Sequence, residues 1–150
     1  MRIKVITLIQ PWATLKALDE KQFETRGWWT DYRGLLGIHA GKTIDYDACE
    51  EPRIKAALAR HGITSPKQLP TGCILSICHL FDCVKMVSDP NSQHGVKVPG
   101  YKLSDREYSF GHYAPGRFAW ITANNKRLPE PIPARGMQKL WDYDLKAWQT

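Results

Sequence analysis

A chain of 150 residues is the length of one ordinary domain, and with 43% hydrophobic and 11% aromatic residues it has enough apolar surface for a real core. The formal net charge of +6, with a pI near 9.2, points to a polyanionic partner and away from an acidic or membrane-inserted role. The excess is spread along the chain: residues 1–75 carry 11 Lys/Arg against 8 Asp/Glu and residues 76–150 carry 10 against 7, so each half holds +3.

"RIKVITL" (2–8) alternates as a first strand. "QPWATLKALDE" (10–20) follows as a helix, with Pro11 in the first turn and Trp12, Leu15 and Leu18 at helical spacing toward a core. "KQFETRGWW" (21–29) is a second strand, loosened at Gly27, and "TDYRG" turns the chain into a third, "LLGIHAG" (35–41). Residues 45–60, "DYDACEEPRIKAALAR", read as one helix or as two short ones divided at Pro52, terminated by Gly62.

After the turn chemistry of "TSPKQLPTG", the run "CILSICHLFDCVKMV" (73–87) is the longest β-favouring stretch and too apolar for a sheet edge, which predicts a central strand. Residues 88–116 are rich in Gly, Pro and Ser and have no clean period. Tyr101, Tyr108, Phe110 and Tyr113 argue against disorder there, and a loop of that length is expected to be functional. "RFAWITAN" (117–124) is another strand. "LPEPIPA" (128–134) must run extended or at an edge, because its prolines cannot donate to a ladder, and "RGMQKLWDYDLKAW" (135–148) closes the chain. About six short, mostly antiparallel strands with two helices inserted early predict an α+β fold. It would be a small barrel or curled sheet formed by residues 1–150 as a single domain, with a helix covering one mouth.

"MRIKVITLIQPW" lacks the apolar run of a signal peptide, and no window approaches the roughly 20 apolar residues a membrane span needs, so a cytoplasmic protein with no membrane partner is expected. Cys49, Cys73, Cys78 and Cys83 contain no C-x-x-C pair, and the last three are spaced by five residues each. On a strand an odd spacing sends neighbouring thiols to opposite faces, so they read as buried free thiols of a reducing compartment. A metal alternative would draw on His79, His94 or His112; the expectation is no metal and no cofactor.

"QPW" at 10–12, K-x-x-E-x-R at Lys21, Glu24 and Arg26, Trp28, "YRG" at 32–34 and "IHA" at 38–40, followed by "FGHYAPGRFAW" and "EPIPARGMQKLW", resemble the ASCH domain family, relatives of the PUA-like barrels. The similarity runs in order over nearly the whole chain. It implies a β-barrel with a cleft beside the first helix, where the K-x-x-E-x-R residues sit, and RNA or nucleotide binding as the usual function. One branch of the family implies a second activity, amidohydrolysis of N4-acetylcytidine-type nucleosides by a lysine, a threonine three residues on and a glutamate from a later loop. Here Lys21 matches, Glu24 stands in the threonine position, and Glu107 is the loop carboxylate by order along the chain. A ribonuclease using Lys21 and a base from the loop is a further option.

Strand parity puts Glu24 and Arg26 on one face and Phe23 and Thr25 on the other, with Lys21 at the junction of helix and strand. If the polar face lines a cleft, Arg26 keeps Glu24 ionised and Lys21 offers a donor to a phosphate or a developing oxyanion. An i, i+2 ion pair on an exposed sheet face would instead mean little. Lys21, Glu24 and Glu107 are therefore the candidate catalytic residues. Trp12, Arg26, Trp28, Tyr32, Arg33 and His39 are the candidate ligand contacts: the indoles for base stacking, Trp28 or Trp29 foremost, Tyr32 and Arg33 for a phosphate at the rim, and His39 behind the contacting residues. The expected partner is single-stranded RNA or a modified nucleoside or nucleotide.

Overall fold

The computed structural model describes residues 1–145, in the order β1 (Arg2–Gln10), α1 (Trp12–Ala17), β2 (Phe23–Arg26), β3 (Gly34–Ile44), α2 (Tyr46–Glu50), α3 (Pro52–Ala59), β4 (Cys73–Lys85), β5 (Val87–Ser88), β6 (Val96–Lys97), α4 (Asp105–Ser109), β7 (Phe118–Pro133) and β8 (Leu140–Asp144). The fold is α+β, as expected. A six-stranded sheet runs β2-β7-β4-β3-β1-β8, and β5 pairs with β6 in a separate hairpin. β4 lies inside the sheet, paired antiparallel with β3 and β7, and six of its first residues are buried in succession. The end of "RGMQKLWDYDLKAW", residues 146–148, lies outside the described residues.

Among the described residues the sheet keeps two free edges, β2 and β8, so hydrogen bonding does not close it into a barrel. It curls instead through register breaks, three of them along β4 and β7, since each extra residue in a strand adds twist and bend. One pair departs from the antiparallel rule: β1 and β3 run parallel. Parallel neighbours need a long crossover, and residues 11–33 provide one through α1 and β2. That excursion carries "KQFETR" away from its sequence neighbours to pair with β7, which sets Glu24 opposite Trp120.

β7 also absorbs the proline-rich "LPEPIP". Residues 128–131, with Pro129 and Pro131, fall in the gap between the paired positions Ser76↔Arg127 and Ile74↔Ile132, and β2 pairs with β7 only as far as Ile121. Pro129 and Pro131 thus sit where no ladder donor is required, and Pro133 closes the strand opposite Cys73. The sheet has a core on each face. Ile6, Leu8, Leu36, Ile38, Leu80 and Trp120 pack with Ala13 and Ala17 of α1 on one side, and Ile3, Val5, Ile74, Ile77 and Trp141 pack on the other. All four cysteines are buried free thiols. No described helix is long and apolar enough to cross a membrane.

Trp120 is fully buried, meets the Trp28 ring edge-on at 4.8 Å and donates its Nε1 hydrogen to the Trp28 carbonyl (3.4 Å). Truncation to Ala opens a large void beneath β2, and the expected loss is about 3–5 kcal/mol, read as a lower urea midpoint at unchanged slope.

Candidate functional site

The site is built where α1 hands the chain to β2. Gln10, which is wholly buried, braces the start of α1: its Oε1 accepts the Thr14 N–H (2.9 Å), and its Nε2 donates to the Thr14 hydroxyl and the Pro70 carbonyl (2.7 Å each). That brace fixes Trp12 over the space beside β2. At the other end the chain reverses through Asp19 (φ 60°), and the N–H groups of Glu20 and Lys21 both return to the Leu15 carbonyl (2.9 and 3.2 Å). Lys21 is thereby tucked under α1, where it is 2% exposed.

β2 then presents its faces as parity requires. Glu24 is turned inward and 5% exposed, with Lys21 Nζ donating to its Oε1 (2.9 Å) and to the Phe23 carbonyl. Arg26 Nε stands 2.8 Å from the other carboxylate oxygen as an ion pair, although it is not aligned as a hydrogen-bond donor. Arg26 Nη2 donates to the Thr7 carbonyl of β1 (3.0 Å), which pulls β2 and β1 together across the site. Burial on its own would raise the Glu24 carboxyl, but the charges of Lys21 and Arg26, the Lys21 hydrogen bond and the more distant Lys16 outweigh it, and the group is held below its ordinary value.

Beside this triad lies a cavity of about 370 Å³. Lys21, Glu24 and Arg26 form its floor, Trp12 and Phe110 face each other as apolar walls, and Thr7–Ile9 of β1 make one side. Thr25, Ser109, Gly111, His112 and Arg117 close the rest. Its three cations, Lys21, Arg26 and Arg117, outnumber the one carboxylate by two. Arg117 forms no ion pair among the described residues; its Nε donates to the His112 carbonyl (2.9 Å), which aims the rest of the guanidinium past Gly27. Gly111 is needed for closeness: a Cβ there would meet the Tyr113 ring at 2.7 Å and Thr25 at 3.3 Å.

The structure therefore brings four of the nine sequence-derived candidates to the cavity, Trp12, Lys21, Glu24 and Arg26, and places the other five elsewhere. Glu107 is buried on α4, but its carboxylate faces the backbone. It accepts the N–H groups of Gln22 and of Phe23 (3.4 Å) and the Tyr113 hydroxyl (3.3 Å), so it clamps β2 and does not line the cavity. Burial first, and then the Glu107 charge, push the Tyr113 phenol above its ordinary value. Trp28 packs against Trp120 in the core, which is why it offers no stacking platform, and Trp29 is exposed away from the cavity. The Tyr32 hydroxyl donates to the Leu35 carbonyl (2.6 Å), and Arg33 donates to the carbonyls of Thr30 (2.9 Å) and Tyr32 (2.8 Å), so both hold their own turn. His39 is fully buried against Trp141; its Nε2 donates to the Ala134 carbonyl (2.7 Å), and its Nδ1 lies 3.2 Å from the Thr7 hydroxyl.

Several site residues were missed. Arg117 and Gly111 sit inside the "FGHYAPGR" signature that carries the resemblance, with no role read for either from the sequence, and His112, read there only as a metal alternative, lines the cavity with them. Lys16 is a second buried ammonium on α1, donating to the Gln22 carbonyl and the Thr122 hydroxyl. Desolvation holds it below its ordinary value, with Lys21 adding to that and Cys78, Glu24 and Glu107 opposing it. Its spacing from Leu15 gave no sign of burial.

The α+β sheet and the basic cavity beside the first helix, lined by Trp12 and the K-x-x-E-x-R residues, bear out the resemblance to the ASCH domain family. Across 146 residues, 96% of its length, the chain is 28% identical to human activating signal cointegrator 1 and 29% identical to the mouse protein of that name. It spans about a quarter of the length of those curated relatives, 23% in each. No family model matches the chain.

The buried pair predicts a signed dependence on pH. Because the folded-state Glu24 value lies below the ordinary 4.5, its stabilising contribution is present above that value and is lost as the pH falls through the folded one. Glu24→Gln alone strands the Lys21 ammonium and is expected to cost about 3–5 kcal/mol. The double variant Lys21→Met/Glu24→Gln is expected to lose less, and urea titrations between neutral and acid pH should show it with a flatter acid limb than the parent.

Proposed function

We propose that the chain binds RNA or a nucleotide, with one base held in the cavity beside β2. The observation that carries this reading is the composition of that cavity: a Lys21–Glu24–Arg26 floor in which Lys21 and Glu24 are buried, an indole wall and a surplus of two positive charges. A volume near 370 Å³ falls within the range of small-ligand sites. Trp12 offers a π face on which any base can stack. Glu24 accepts from an exocyclic amine or ring N–H and Lys21 donates to a ring carbonyl, an arrangement suited to the hydrogen-bonding edge of a base. Arg117, with no carboxylate partner among the described residues, and the outer nitrogen of Arg26 are the phosphate contacts.

Amidohydrolysis of an N4-acylated cytidine is the second reading, and the Lys21–Glu24 pair at the cavity floor is what favours it. In it Lys21 holds the oxyanion and Glu24 activates a water. It ranks lower for two reasons: a carboxylate held below its ordinary value is a weak base, and the Glu107 carboxylate is turned to the backbone of Gln22 and Phe23; Thr25 does line the cavity, where its hydroxyl accepts the His112 N–H (3.2 Å). Cleavage of RNA has less support still, because it would draw on the same Glu24 carboxylate, held below its ordinary value, as its base.

The test is titration of a short labelled oligoribonucleotide by fluorescence anisotropy at several salt concentrations. Binding is expected to weaken steeply with salt, by a log–log slope of about −0.7 for each phosphate contact. Lys21→Met/Glu24→Gln should weaken it at least about tenfold, the loss of one or two good polar base contacts. Retention of full affinity by the folded double variant would remove the cavity from the function, and release of acetate from N4-acetylcytidine by the parent, lost in the same variant, would establish the hydrolase instead.

A further inference from the structure

Phe110 separates the main cavity from a second depression of about 440 Å³ on the far side of its ring. Arg53, Ala56 and Arg60 of α3 and its C-terminal cap line that depression from one side, and Asp105 and Arg106 of α4 from the other. Its charges are ordered in depth. Glu20, only 11% exposed, takes Arg60 Nη2 (2.7 Å), His61 Nε2 (2.8 Å) and Arg106 Nη2, whereas Arg60 and Arg106 remain 53% and 49% exposed. The carboxylate thus sits behind its arginines and holds them in place while their remaining N–H groups face solvent. Arg106 is further steadied with its guanidinium 5.7 Å over the Phe110 ring. Arg53 has no carboxylate partner among the described residues, donating only to the Asp105 carbonyl (3.1 Å). Asp105 is the one exposed carboxylate at the rim, and it is engaged by His94 Nε2 (2.9 Å).

Three forward-facing guanidinium groups around a hollow have the geometry for phosphate oxygens, and their separation from the nucleotide-sized cavity by one phenyl ring suits a connected ligand. We propose that this depression is a flanking subsite for the sugar-phosphate backbone of a single RNA strand whose neighbouring nucleotide occupies the main cavity. The inference rests on the nucleotide reading of that cavity, and it specifies the ligand: a strand extending over α4, bound more tightly than a lone nucleotide. Arg53 and Arg106 contact phosphate, and Glu20 is a positioning residue that aims Arg60 and Arg106.

The experiment compares uridine 5′-monophosphate with oligouridylates of three and five residues on the full chain, by competition against the labelled oligomer. Affinity is expected to rise about tenfold or more from monomer to pentamer, as added phosphate contacts release counterions. Arg53→Gln, an exposed substitution whose melting temperature is checked first, should remove most of that gain and lower the salt slope by about 0.7 while leaving the monomer unaffected. Glu20→Gln should lower the pentamer affinity through its two arginines. Equal affinity for monomer and pentamer, or an Arg53→Gln protein with the parent's length dependence and slope, overturns the subsite. If the Lys21→Met/Glu24→Gln protein binds the pentamer like the parent and Arg53→Gln does not, the cavity reading fails and the arginine subsite stands.

Discussion

A carboxylate almost wholly withdrawn from water stays ionised only where cations are brought to it, and Glu24 sets that requirement for everything around it. Lys21 and Arg26 meet it directly and Lys16 from further off. Both lysines are themselves only 2% exposed, and loss of Glu24 would leave the Lys21 ammonium buried without its carboxylate. Networks of this kind give little net stability over an apolar equivalent of the same shape. Stability is therefore a poor account of why two ammonium groups and a carboxylate occupy the underside of α1. A fixed array of donors and acceptors at the bottom of a cavity is a better one, because a ligand then meets groups already oriented and already stripped of water.

Holding that array requires an edge strand to be as rigid as a central one. β2 is four residues long and pairs on one side only, with β7. Glu107 takes the N–H groups of Gln22 and Phe23 near its start, and the Thr25 hydroxyl takes that of His112, so α4 and the turn after it serve as the missing neighbour. The same segment supplies the cavity's outer wall through Ser109, Phe110, Gly111 and His112. Clamp and wall are one piece of chain, which couples the order of the floor to the shape of the site.

The sequence displayed those parts that depend on period or on a long apolar run. Parity in "FETR" separated Glu24 and Arg26 from Phe23 and Thr25, and the apolar length of "CILSICHLFDCVK" marked the interior strand. What it hid depends on contacts between distant segments. Nothing local in "RGWW" distinguishes a stacking platform from a core indole; Trp28 is settled by Trp120, 92 residues on. His39 is likewise fixed by Ala134, and Arg117 becomes a site residue only because β7 pairs with β2. Within residues 88–116 the elements are two to five residues long, too short to show a period, so a hairpin and α4 were legible only as a segment with many aromatics. Pro129 and Pro131 marked a place without ladder donors, but a register gap in a long strand meets that condition as well as an edge does.

The balance between binding and catalysis turns on how Glu24 is used. A general base must take up a proton, and the cations that hold this carboxyl below its ordinary value make that uptake costly. Hydrogen-bond recognition needs the opposite, a group that stays charged and still, and here Lys21 and Arg26 supply both conditions. Raising the basicity of Glu24 would mean removing a cation from a site whose surplus positive charge is its main attraction for a phosphate-bearing ligand. The features that support the proposed binding of RNA are the same ones that make Glu24 a weak proton acceptor, so they favour the binding reading over the hydrolytic one.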